Sequence, residues 1–340
     1  MTRIRLSICI ATFNRADFIG ETLKSILGQV TDEVEVVVVD GASTDRTPEV
    51  MSRFSEGNPR LRYVRLDQNG GVDRDYDHSV QFAAGEFCWL MTDDDLLLPG
   101  AIQEVLDAIT GSVSLVVVNA EIRDSRLREI LEPKRMSIPG NRLYLPGEFE
   151  SFFRDTADYL SFIGGVVIRR DLWLSRNRER YYGSLFIHVG VIFQAIPTEP
   201  VLVLSLPLIA IRYGNAMWTP RSFEIWALNW PELVWSFDHF SPDSRSAVVS
   251  AKPWRQLWFL LLMRGRGAYS RAEYQRWILP RARSQREKLL PAIIAVVPGL
   301  PLNFFLFLAH RIFYRRSLVP QLDLRNSRFA AWWPSRRLKR

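Results

Sequence analysis

Residues 34–39, Val34-Glu35-Val36-Val37-Val38-Val39, narrow what this chain can fold into more than any other segment. Valine is stiff at χ1 and suits a pleated, buried surface. A strand with one wet face alternates apolar and polar residues. This run hardly alternates, so both of its faces need apolar cover. Helices on both sides of a mostly parallel sheet supply it. Leu6–Phe13, Leu61–Leu66, Glu86–Met91 and Ser114–Asn119 read as further strands of that sheet. Between them, Asp17–Gln29, Ser43–Phe54, Asp73–Ala84 and Pro99–Ile109 read as helices. Ser43, Thr44 or Asp45 can cap the second of these, and Pro99 suits a helix start. Strands separated by helices of ~10–15 residues imply βαβ units. Gly164–Arg169 and Val201–Tyr213 read as later strands, and Leu185–Ile196 as an apolar helix.

The length of 340 residues exceeds the ~250–300 at which one core stops growing, so an appended region is expected. Charge marks where it begins. Residues 251–340 hold 19 Lys and Arg against 3 Asp and Glu, whereas the first 250 hold 25 against 34. An acidic catalytic part joined to a segment that meets an anionic surface fits this polarity. Cys9 and Cys88 each lie in an apolar run and read as buried thiols in a reducing compartment. Arg3-Ile4-Arg5 leads straight into a strand-like run, which carries the expectation of no cleaved leader.

In parallel α/β sheets the ligand lies at the carboxyl ends of the strands. Here those ends deliver Thr12-Phe13-Asn14-Arg15, then Asp40-Gly41-Ala42-Ser43-Thr44-Asp45, then Asp67-Gln68-Asn69-Gly70-Gly71, then Thr92-Asp93-Asp94-Asp95. Singly these are turn residues; together they describe one polar sheet edge. Adjacent carboxylates after an apolar strand repel one another, and burial raises their pKa values. Mg²⁺ or Mn²⁺ relieves that by taking one or two carboxylates and filling its shell with water and phosphate oxygens. Neither a Walker-type G-x-x-x-x-G-K-[ST] nor a G-x-G-x-x-G after the first strand occurs, which argues against a P-loop NTPase and an NAD enzyme. A diphosphate would then be held by metal and by Arg15 and Arg74.

These blocks resemble, in order and spacing, those of family 2 glycosyltransferases with the GT-A fold, a Rossmann-like, mostly parallel sheet flanked by helices. The resemblance covers roughly residues 5–215. Within the family, Gly71-Val72-Asp73-Arg74-Asp75 and Gly85-Glu86-Phe87-Cys88-Trp89 are similar to the O-antigen abequosyltransferase type. The resemblance implies a catalytic domain over 1–218, with a nucleotide-sugar half over about 1–120 and an acceptor half over about 121–218. Asp40 would contact the base, and Thr12, Asn14 and Arg15 would line the base and ribose pocket. Ser43, Asp45, Asn69, Gly71 and Arg74 would complete the donor site. Asp94 would approach the ribose or the metal shell, and Asp93 and Asp95 would hold the metal. Two positions depart from the pattern: Ala11 stands at the usual proline of the first block, and an acidic block written D-x-D-D would start at Thr92.

The family's base is usually an acid beyond a Gly-Gly strand, recognisable here as Phe162–Ile168. At the corresponding place the chain reads Gly183-Ser184-Leu185-Phe186-Ile187-His188-Val189. His188 is the only titratable side chain there and the candidate base, although a lone histidine in an apolar helix is more often a satisfied core residue; Asp158, and Asp155 beside it, are in reserve. Asn215 and Trp218 follow a strand end and are expected on the acceptor side.

Residues 219–340 read as a helical, basic, amphipathic membrane-association region. Leu289–Ala309 is long enough to span, but Pro291, Pro298 and Pro301 interrupt it, so two short interfacial helices are expected. Lys288 precedes them, and Arg311, Arg315 and Arg316 follow, as suits headgroups. Nucleic acid is the competing polyanion; the aliphatic run Trp258–Met263 favours lipid. The expected activity is sugar transfer from a nucleotide diphosphate donor to a lipid-linked glycan. It would take place at the cytoplasmic face of the plasma membrane, with a peripheral or monotopic protein. Transfer to a polyprenyl phosphate or a protein on the same fold, and a catalytically silent scaffold, are the alternatives.

Overall fold

The computed structural model describes residues 3–109, 111–215, 219–313 and 319–330. Trp218, Arg315 and Arg316 lie outside them. The chain forms two compact units, Met1–Tyr213 with Phe237–Ser244, and Gly214–Ser236 with Arg245–Arg340. The first therefore closes at Tyr213 rather than 218, and it takes back a short later segment. Phe240 of that segment stacks on Phe153 with ring centroids 4.1 Å apart.

The first unit runs β1 (Leu6–Thr12), α1 (Ile19–Leu27), β2 (Val34–Asp40), α2 (Thr47–Ser55), β3 (Leu61–Arg65), α3 (Val72–Phe82), β4 (Phe87–Met91), β5 (Leu96–Leu97) and α4 (Ala101–Ala108). It continues through β6 (Leu115–Arg123), β7 (Ile130–Glu132), β8 (Arg142–Tyr144), α5 (Phe149–Thr156), β9 (Val166–Arg169), α6 (Arg170–Ser175), α7 (Ile187–Phe193) and β10 (Val201–Arg212). The sheet order is β3-β2-β1-β4-β9-β6-β10-β5, with β7 on β6 and β8 on β10. The β3-β2-β1-β4 half is parallel throughout. β9 enters antiparallel between β4 and β6.

Every residue of β1 and of β4 is buried, and in β2 only Glu35 is not. The valine run is covered on both faces, as its sequence requires. Trp89 is fully enclosed, and its indole Nε1–H bonds the Gly164 carbonyl at 2.8 Å. Register then fixes the polar edge. Thr12 pairs with Asp40 and Asp40 with Arg65, so three strands end at one level; β4 ends two residues short of it, Met91 pairing with Ile10, and its acidic loop follows on the same edge.

Glycine or a tight turn makes α2 and α4 start later than their sequence signals. α2 begins at Thr47 because the preceding turn is wound tightly, with Ala42 at φ 63°. Asp45 Oδ1 accepts the Thr47 N–H at 2.9 Å there. α4 begins at Ala101, after Gly100 has taken the left-handed conformation at φ 82°.

The second unit is helical and has its own core, built from Phe223, Leu228, Trp254, Leu260, Tyr269 and Ile294. Gln285–Val296 and Gly299–Phe313 are separate helices, bent by 97° at the break between them. Among the described residues no single helix is long and apolar enough to cross a membrane. Leu289, Ile293, Val296, Leu300, Phe305 and Ile312 are exposed on this pair.

Candidate functional site

The loops after β1 and β2 are locked by their own polar atoms. Asn14 sits at φ 55°, a conformation that asparagine tolerates better than most residues. Its backbone N–H bonds Ser43 Oγ at 2.8 Å. Its Oδ1 accepts the N–H groups of Thr44 at 2.8 Å and Asp45 at 3.3 Å. Asp40 is fully buried; Oδ1 accepts the Ser43 N–H at 2.8 Å, and Oδ2 accepts the Tyr63 hydroxyl at 2.6 Å. Partial burial pushes the Asp45 carboxyl up, but bonds from Thr47 and Ala16 outweigh it and hold that group below the usual range. Asn14, Ser43 and Asp45 are thus spent largely on framing the edge. Thr12 ends β1 buried, with its hydroxyl beside the Asp93 carboxyl.

At the end of β4 the acidic triplet is crossed by two arginines. Arg15 Nε bonds Asp93 Oδ1 at 3.0 Å, and its Nη2 bonds Asp94 Oδ2. The guanidinium of Arg15, expected to face a diphosphate, is engaged here by these carboxylates, the charges nearest to it. Arg212, from the end of β10, donates its backbone N–H to Asp95 Oδ1 at 2.7 Å and Nε–H to the Asp94 carbonyl at 3.0 Å. Its Nη2 pairs with Glu21. Thr92 Oγ1 bonds Asp95 Oδ2 at 2.6 Å.

Burial pushes Asp93 up to about 6 against the pull of Arg15, with Asp94 adding to the rise. Burial and then the Asp94 charge push Asp95 up to about 8. A loop whose carboxylates resist ionisation even beside Arg15 is short of positive charge. Asp93 and Asp95 therefore fit a divalent ion that takes two carboxylates and finishes its shell with phosphate and water. Among the described residues there is no cluster of three or more acidic, His or Cys side chains that could hold a metal by themselves.

α3 opens at Gly71, φ 88°, where Asn69 Oδ1 accepts the Gly71 N–H at 2.8 Å. Asn69, Gly71 and Arg74 are exposed. The Arg74 guanidinium lies 5.2 Å from the Tyr182 ring centroid and makes no ion pair among the described residues. Unlike Arg15, it is free to meet an anion. Asp73 accepts the N–H groups of Leu185 at 2.9 Å and Ile187 at 3.1 Å, so the stretch before α7 is tied to α3.

His188 lies in α7 and is 1% exposed. Its Nε2 is 2.7 Å from the Leu160 carbonyl oxygen and must donate to it. Nδ1 is enclosed with no hydrogen-bond partner among the described residues. Burial pushes the ring down to about 4, with the Leu160 bond opposing, so the ring is neutral at pH 7. Asp158 is exposed, although local packing raises its carboxyl above the usual range, with Arg135 opposing. Asp155 is held by Arg142 and the Tyr144 hydroxyl. Asn215 belongs to the second unit.

Arg212, and Asp75, whose carboxylate packs against Gly41 at the end of β2, lie at this edge without having been singled out from the sequence. An arginine ending a strand some 117 positions after Asp95 gives no local signal. Asp75 is one of three acids at alternate positions near the start of α3, and nothing in the local pattern sets it apart.

Residues 7–174 match the model for glycosyl transferase family 2. The chain is 25% identical over 223 residues to abequosyltransferase RfbV of Salmonella typhimurium, covering 62% of this chain and 67% of that protein. It is 33% identical over 104 residues to the GalNAc(5)-diNAcBac-PP-undecaprenol beta-1,3-glucosyltransferase of Campylobacter jejuni, covering 30% of this chain and only a third (33%) of that protein. In three dimensions it is similar to residues 1–349 of S. aureus TarS in complex with UDP. That match has a TM-score of 0.58 at 17% identity, over 94% of this chain and 89% of the other. The α/β fold with a mostly parallel sheet, GT-A in type, is the one expected from the strand-end blocks.

Proposed function

Since residues 7–174 make this chain a member of glycosyltransferase family 2, we propose that it moves a sugar from a nucleotide diphosphate donor to a lipid-linked glycan at the cytoplasmic face of a membrane. One observation carries the donor reading. The ends of β1, β2 and β4 are knitted into a single edge by the Asn14–Ser43 and Arg15–Asp93 bonds, with buried carboxylates at either end of it. The relatives named above, an abequosyltransferase and an undecaprenol-linked glucosyltransferase, support surface polysaccharide assembly as the setting.

In the transfer, the acceptor hydroxyl oxygen bonds to the anomeric carbon as that carbon's bond to the diphosphate breaks. Arg74 meets the departing diphosphate. Asp93 and Asp95 would hold Mn²⁺ or Mg²⁺, which supplies Lewis-acid neutralisation of phosphate charge. With Asp155 held by Arg142 and Tyr144, Asp158 suits proton acceptance better than His188. It is exposed, and its neighbour Tyr159 is close enough to Asp95 to feel that charge. The enclosed, neutral imidazole has one nitrogen committed to Leu160 and the other walled off. Asp158→Asn should lower turnover by about 10²-fold or more, and His188→Ala should leave turnover near normal; the reverse result reinstates His188.

A screen of nucleotide release from UDP-, CDP-, GDP- and dTDP-sugars tests the whole reading. One donor class should be consumed, and excess chelator should stop it. Activity undiminished by chelator removes the metal; no turnover of any donor with a panel of lipid-linked acceptors favours the scaffold.

For membrane association, the supporting feature is the exposed apolar strip on Gln285–Val296 and Gly299–Phe313 in a region carrying excess positive charge. Such a surface suits the headgroup–acyl boundary of an anionic leaflet.

A further inference from the structure

We propose that Asp75 reads the base of the donor nucleotide, accepting a hydrogen bond from a ring N–H or exocyclic amino group. The inference rests on the donor reading above and adds a residue that recognises which nucleotide is bound.

Asp73, Asp75 and Asp77 all lie on α3, but they do different jobs. Positions 73 and 77 are four apart and share a helix face. Asp73 takes the Leu185 and Ile187 N–H groups. Asp77 takes Trp173 Nε1, Arg178 Nε and the Tyr182 hydroxyl. Asp75 points off that face, toward the strand ends. It is 3% exposed, and its Oδ1 is enclosed with no hydrogen-bond partner among the described residues.

The surroundings say what kind of partner fits. A Cβ on Gly41 would sit 2.5 Å from Asp75 Oδ2, and one on Gly70 would sit 3.7 Å from Oδ1. The carboxylate is thus packed against bare backbone at the end of β2, where a larger residue would displace it. Asp40 lies close enough that its charge, after burial, helps push Asp75 up to about 6. Asp40 cannot donate to it, and Asp40's own oxygens already accept from Ser43 and Tyr63. A buried carboxylate oxygen lacking a donor is destabilising and calls for an explanation. An arriving N–H supplies the missing donor.

Position along the nucleotide favours the base over other donor groups. β4, β1 and β2 are consecutive neighbours in the sheet, so the ends of β4 and β2 are about 10 Å apart at normal strand spacing. With the diphosphate at the Asp93–Asp95 loop, the far end of the nucleotide falls at Asp40, Gly41 and Asp75. Phosphate would be repelled there.

Calorimetric titration of the full chain tests this with UDP, CDP, GDP, dTDP and the baseless ribose 5-diphosphate. The tightest nucleotide is then compared with its counterpart methylated at the donor position: N3 for UDP and dTDP, N1 for GDP, or dimethylated N4 for CDP. Methylation should weaken binding at least tenfold in the unaltered protein. Asp75→Ala should erase that difference while leaving ribose 5-diphosphate binding unchanged. Equal binding of the methylated nucleotide to the unaltered protein overturns the inference without reference to any variant. Full discrimination surviving in Asp75→Ala overturns it as well. If no nucleotide binds either protein, the donor reading falls and this inference falls with it.

Discussion

A guanidinium set between Asp93 and Asp94 ties the end of β1 to the end of β4. Arg15 is nearly enclosed, and its charge balances two carboxylates that water reaches poorly. Removing one member of a buried ion pair strands the other, which typically costs ~3–5 kcal/mol. Arg15→Ala should therefore lower the free energy of unfolding in urea by about 3 kcal/mol; a loss below about 1 kcal/mol would mean that the carboxylates are solvated after all. His188 provides a second residue-scale expectation. Its folded pKa is pushed down to about 4, below the ~6.5 of an unfolded histidine. The unfolded chain thus takes up the proton first on acidification. The stability associated with the neutral ring is complete above about pH 6.5 and is lost as pH falls toward 4, by up to ~3 kcal/mol. Comparing urea midpoints of the unaltered protein and His188→Gln at pH 7 and pH 4.5 checks this. The gap between them should narrow in acid, and a constant gap would contradict the burial of this ring.

At the scale of elements, α3 does more than fill a layer. Asp77 on its buried face gathers Trp173, Arg178 and Tyr182 from the segment that leads to α7, while Asp73 caps that segment's end. The helix is the post to which residues 173–187 are tied. Asp77→Ala leaves three donors without their acceptor, one of them charged, and should destabilise by about 3 kcal/mol. Asp77→Asn should lose less, because it keeps an acceptor and gives up only the charge. Urea unfolding of the two variants separates the cases, and equal losses would assign the effect to charge alone. The same face shows how a helix rich in acids comes to be buried. Its acids are buried by partners a hundred residues away, and no local pattern announces such partners.

For the molecule as a whole, the second unit combines an exposed apolar strip with an excess of arginine and lysine. Ile293 and Phe305 are 58% and 65% exposed, so replacing both with Asp should change folding by little, within about ±0.5 kcal/mol per site. The same pair of changes should weaken co-sedimentation with phosphatidylglycerol vesicles at least tenfold. Unchanged recovery with lipid would remove this strip as the membrane surface.

Periodicity along the chain was enough to place seven of the ten strands, the parallel half of the sheet and the polar blocks at the strand ends; β5, β7 and β8, two or three residues each, are too short to show a pattern. A strand's burial on both faces is written in its own residues, and a loop after a parallel strand has one edge on which to emerge. The break in the C-terminal apolar stretch was equally local: it falls at Pro298, whereas Pro291 is carried inside the preceding helix. Where each polar side chain spends its hydrogen bonds was decided only by tertiary structure. Arg15 turned to the acidic loop, Arg212 arrived from the last strand to brace it, and His188 was sealed against a backbone carbonyl. Asp75 alone among the acids of α3 was left with an oxygen unserved. Charge pairing and desolvation depend on distances between residues far apart in sequence, and these exist only once the sheet has assembled.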